Sequence, residues 1–132
     1  MNTAPILPLT IEQFETGEFD PDRLDHEAHV YLGWLYVQAF GLSEAVRRFD
    51  SALKRLTEQL GIPDKYHATI TWTFLLLINE RYRDNEKWCA FYSRNSDLFC
   101  NSKAIVGRYY TDTLLFSDRA RRHFVLPDRL AS

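Results

Sequence analysis

The chain has 132 residues, of which 45% are hydrophobic, 14% aromatic and 26% charged, a length and balance that suit one compact domain with a core of its own. Sixteen basic residues against eighteen acidic ones give a formal net charge of -2, which excludes the overall positive field that drives sequence-independent nucleic-acid binding. No stretch approaches the roughly 20 apolar residues of a membrane helix, and the first residues lack a basic segment followed by a long apolar run. The expectation is a cytoplasmic protein with neither nucleic acid nor membrane as its partner.

Taken in chain order, residues 1–19 carry two prolines and mixed polarity and read as an N-terminal arm packed through Ile6, Leu7, Leu9 and Phe14. At "FDPDRLDHEAHVYLGWLYVQAFG" the pattern changes. Asp20 suits an N-cap, Pro21 the first helical position and Asp22 the helix dipole, while Gly41 stops the run. The first helix is therefore expected over 21–40.

In "LSEAVRRFDSALKRLTEQLG", Ser43 suits a cap and Gly61 a terminator. Between them Ala45, Val46, Phe49, Leu53, Leu56 and Leu60 recur at helical spacing, the mark of an amphipathic second helix. Basic and acidic residues alternate on its other side, as on a solvated face.

"IPDKYHATITWTFLLLINERYRDN" is ambiguous at first. Thr69, Thr71 and Thr73 alternate with Ile70, Trp72 and Phe74 at the period of a strand, but the apolar run continues through Leu75, Leu76, Leu77 and Ile78 and no partner strand is evident. With Asp64 as a cap, the length favours a buried central helix over 65–82.

Beyond Asn85, "EKWCAFYSR", "DLFCNSKAIVGRYY" and "SDRARRHF" read as three short helices, followed by a polar tail after Pro127. The fold expected is a single all-α domain over 1–132, a bundle-like array of five or six helices with its helical core at 20–126 and a tail at 127–132. An apolar helix face left over after folding would support a homodimer. Tyr31, Trp34, Tyr36, Phe40, Trp72, Phe74 and Tyr82 are assigned to the core.

Successive helices with short connections pack antiparallel, so the first and third run in the same sense and start at the same end of the bundle. His26 and His29, three residues apart, share one face of the first helix. His67 begins the third. At about 1.5 Å per residue, His26 stands roughly 8 Å above Pro21 and His67 about 3 Å above Lys65, levels close enough for the rings to converge. Gly33, on the same face, lets the third helix approach or leaves room for a small ligand. Tyr66, Thr69 and Thr71 add hydroxyls at this end, and Asp22, Asp25 and Glu27 add carboxylates.

Three neutral imidazoles with a carboxylate suit a divalent transition metal such as Zn, Fe or Mn, with an open position for chemistry. On that reading His26, His29, His67 and Asp22 are ligands, Glu27 is a base, and Tyr66 and Thr71 orient a small-molecule substrate or the imidazoles. The spacing is not that of HExxH.

Two alternatives stand beside it. The histidines are structural groups at the corner of a non-enzymatic interaction module, bonded to backbone and hydroxyls, or the positive ends of two helix dipoles hold a small anion or polar ligand. His123, after Arg121 and Arg122, reads as a surface residue. Cys89 and Cys100 have neither a metal-ligand nor a redox spacing and read as reduced thiols. There is no phosphate-binding loop and no nucleophile elbow.

The segments "DHEAHVYLGWLY", "GIPDKYHATITW" and "LLFSDRARRHFVLPD" together resemble a pattern of small bacterial all-helical proteins, DHxxH followed by KYHxTxT. The resemblance spans Phe19 to Asp128. It implies an all-helical domain in which His26, His29, Tyr66, His67, Thr69 and Thr71 are the notable positions, and it brings no reaction.

Overall fold

A computed structural model describes residues 9–129. Among them the protein is all-α, with nine α-helices, two short 3-10 turns and no strand. The expected contacts of Ile6 and Leu7 lie outside the described residues.

The supposed arm contains a helix, α1 (Ile11–Thr16). Thr10 and Gln13 form a reciprocal capping box, and Gly17 closes the helix at φ 77°, a left-handed conformation that glycine adopts without steric cost. Phe14 is buried against Phe49 and Tyr36. Glu15 accepts both Nη2 and Nε of Arg48, at 2.7 and 3.0 Å, and the Tyr36 hydroxyl at 3.0 Å. These bonds hold the Glu15 carboxyl below its ordinary range, the Arg48 bond first.

The expected helix over 21–40 is broken. Asp20 caps only a 3-10 turn, Pro21–Arg23, and Leu24 leaves helical geometry at φ -88°, ψ 67°. Asp25 then starts α2 (His26–Phe40), its carboxylate accepting the Ala28 amide at 2.9 Å. Two cap signals five residues apart compete, and the second opens the long helix.

Helix α3 (Leu42–Gln59) follows the apolar stripe, with Ala45, Phe49, Ala52 and Leu56 buried. Its N-cap is Gly41, with no side-chain bond, rather than Ser43, which lies exposed inside the first turn. A second 3-10 turn, Pro63–Lys65, contains Asp64, so the expected cap is displaced and α4 spans Ala68–Arg81. His67 caps α4.

Helices α2 and α4 lie side by side in the same sense. His26 meets Phe74 edge-on at 5.0 Å, and further along Gly33 faces Leu75 and Ile78. A Cβ on Gly33 would come within 2.8 Å of Ile78 Cδ1; the missing side chain serves close helix approach. Trp34 and Tyr36 are buried, while Tyr31, Phe40, Trp72, Phe74 and Tyr82 pack at the edge of the same core.

The remainder is more finely divided than the sequence suggests: α5 (Trp88–Arg94), α6 (Asp97–Cys100), α7 (Ser102–Gly107), α8 (Asp112–Leu115) and α9 (Asp118–Arg122). Asn101, at φ -151°, ψ 62°, splits α6 from α7. Thr111 and Ser117 cap α8 and α9. The tail is pinned. Asp128 accepts the amide and hydroxyl of Thr111 at 2.9 and 2.7 Å, the Arg129 amide donates to Tyr109, and Phe124 stacks on Trp72 at 5.2 Å.

Candidate functional site

The starts of α2 and α4 and the second half of α3 enclose a cavity of about 450 Å³. Its walls are mainly apolar: Leu53 and Leu56 come from α3, Leu60 caps the end of that helix, and Ile70, Phe74 and Leu75 come from α4. Exposed Asp22 and Lys65 stand at its rim. The apolar stripe of α3 runs on to Leu60 and Ile62, each 42% exposed. That excess of apolar surface at one end is the sequence signal for the cavity.

His26, His29 and His67 all line it, and Thr71 joins them. Their ring nitrogens are differently engaged. His67 Nδ1 accepts the Ile70 amide at 3.1 Å, while Nε2 lies 2.7 Å from the Leu115 carbonyl. A carbonyl only accepts, so Nε2 carries the proton and both nitrogens are spent. Burial lowers the His67 pKa, opposed in part by the bond to Leu115.

His26 Nε2 likewise donates to the Leu98 carbonyl at 2.7 Å, tying the start of α2 to α6. His29 Nε2 is sealed from solvent and has no hydrogen-bond partner among the described residues. Its pKa is lowered to about 4, first by burial and then by the neighbouring His26, with Asp25 opposing. The ring is neutral over most of the pH range.

These assignments test the fit of a divalent metal. A bound ion needs a lone pair from each imidazole, and His67 has none left. Among the described residues no group of three or more His, Cys, Asp or Glu side chains is arranged to hold an ion. The donor set expected from His26, His29, His67 and Asp22 does not fit a divalent metal.

The expected catalytic residues are not brought together. Glu27 accepts the Tyr92 hydroxyl at 3.3 Å, away from the cavity wall. Tyr66 turns to a different cleft, beside Lys54 and Arg121, and its hydroxyl donates to Asp50. Trp72 Nε1 donates to the same carboxylate at 3.3 Å. Burial, followed by the Asp50 bond, pushes the Tyr66 pKa upward. Of the three, only Thr71 lines the cavity.

Thr69 is fully buried and anchors the C-terminal segment. Its hydroxyl lies 2.7 Å from the Ala120 carbonyl and 2.9 Å from that of His123, and it accepts the Val125 amide at 3.2 Å. The His123 side chain is exposed.

Comparison with known proteins finds no matching family model, no matching curated protein and no matching solved structure. No helix among the described residues is long and apolar enough to cross a membrane.

Proposed function

We propose that this protein binds a small, predominantly apolar molecule in the cavity between α2, α3 and α4, and that its histidines shape and edge that cavity rather than coordinate metal. The observation that carries the reading is the cavity itself: about 450 Å³, walled by leucine, isoleucine and phenylalanine with a few polar groups at one end. Small-molecule sites have this size and make-up. An apolar occupant gains by burying its own surface, and the few polar groups fix its orientation.

His67 supports the reading in a second way. By capping α4 and holding Leu115 it fixes the start of a helix that walls the cavity, which lessens the ordering that binding requires of the protein. A cytoplasmic location belongs to the same proposal, supported by Cys89 and Cys100, which are exposed and unpaired.

Thermal melting in the presence of 1-octanol tests it. A ligand that binds only the folded state raises the melting temperature in proportion to the logarithm of its concentration above Kd. The expected result is a saturable rise in the natural protein that is lost in Leu60→Trp, where a larger ring occupies the mouth. A melting temperature that never rises contradicts the proposal.

A further inference from the structure

We infer that the cavity selects a neutral molecule that presents a hydrogen-bond donor, a hydroxyl or N–H group, to Nδ1 of His26. The inference rests on the reading of the cavity as a binding site and names the class of ligand it takes. Its basis is the 2.7 Å contact between His26 Nε2 and the Leu98 carbonyl. Because that carbonyl can only accept, the neutral ring carries its proton on Nε2, and Nδ1 is left with a lone pair. His26 lines the cavity, so Nδ1 is the ring atom that remains for an occupant.

Thr71 supplies the complementary group. It lines the cavity, and its hydroxyl makes no hydrogen bond to any described residue and is not sealed in. A hydroxyl both donates and accepts, as does that of an alcohol. A ligand hydroxyl that donates to His26 keeps its own lone pairs for a donor such as the Thr71 hydroxyl in the same cavity.

An ionised carboxylate or a dianionic phosphate monoester fits less well. It brings only acceptors to a ring nitrogen that also accepts. The amides that would favour an anion at these helix starts are partly taken, that of Ala28 by Asp25 at 2.9 Å and that of Ile70 by His67 at 3.1 Å. Asp22 and Asp25 add negative charge at the same end.

Three probes of matched chain length separate the alternatives by calorimetric titration at pH 8: 1-octanol, 1-methoxyheptane and octanoate. The ether has the same number of heavy atoms and no donor. The expected order is 1-octanol tightest, with the ether about fivefold weaker or more, as one net hydrogen bond requires, and octanoate weaker than 1-octanol. In His26→Phe the preference for alcohol over ether disappears.

That variant also loses the bond to Leu98, so the ring is read independently from its 15N spectrum. The proton is expected on Nε2, with the Nδ1 resonance moving when 1-octanol is added. Equal binding of alcohol and ether, tightest binding of octanoate, or a proton on Nδ1 overturns the inference and leaves the cavity reading standing. No binding by any of the three overturns the cavity reading and this inference with it.

Discussion

His67 Nδ1 accepts the backbone amide of Ile70 at 3.1 Å, so an imidazole does at the start of α4 what Ser, Thr, Asp or Asn does at most helix starts. The same ring reaches the Leu115 carbonyl at 2.7 Å with its other nitrogen. One side chain thereby caps a helix of the cavity wall and fastens the C-terminal helices to it.

Replacement of this ring separates its two bonds. His67→Ala loses the cap and the Leu115 bond together and is expected to lower stability by about 2 kcal/mol, the sum of an ordinary cap and an ordinary hydrogen bond. His67→Asn keeps a capping side chain and is expected to recover about half of that loss. Urea unfolding of both variants checks the pair. Equal stability of His67→Ala and the natural protein would show that the ring carries neither bond.

His29 makes stability depend on pH. Its folded pKa, about 4, lies below the ordinary 6.5, so the unfolded chain binds more protons between these values and stability falls as pH drops. The contribution is intact above about pH 6.5 and is lost progressively down to about pH 4, roughly 3 kcal/mol in all. A His29→Phe variant, which has no proton to bind, is expected to show a shallower decline over that window. Urea unfolding at pH 7.5, 6, 5 and 4 compares the slopes, and parallel curves would contradict the assignment.

Gly41 joins α2 to α3 at φ 76°, ψ 173°, a backbone conformation that a side chain strains. A Cβ there would meet nothing within 4 Å, so Gly41→Ala isolates backbone strain from packing. The expected loss is about 1–3 kcal/mol, measured by thermal or urea unfolding. A variant as stable as the natural protein would mean that the α2–α3 junction is relaxed.

Much of this arrangement is legible in the sequence. The apolar stripe from Ala45 to Leu60 places α3, Gly41 marks the end of α2, and the short connections put the starts of α2 and α4 at one end, where His26, His29 and His67 line a common cavity. The helix start at His26 is harder to read because Asp20 and Asp25 both carry cap chemistry and Pro21 favours the earlier one. The Thr10 and Gln13 pair that forms α1 is a local signal, obscured by the mixed polarity around it.

The histidine roles are illegible for a different reason. They are set by the carbonyls of Leu98 and Leu115, which lie 72 and 48 residues from the rings they engage. Every residue carries a carbonyl, so nothing in the side-chain pattern marks these two. Spacing places an imidazole; only the packed structure decides which of its nitrogens is left to bind.

The central claim, that the cavity binds a small apolar molecule, is tested most directly by titrating the protein with N-phenyl-1-naphthylamine, a neutral dye that becomes fluorescent in apolar surroundings. The account predicts saturable binding of one dye per chain, displaced by 1-octanol and lost in a Leu60→Trp variant whose circular dichroism shows it folded. Dye that fails to saturate, or that binds folded Leu60→Trp as it binds the natural protein, would contradict it.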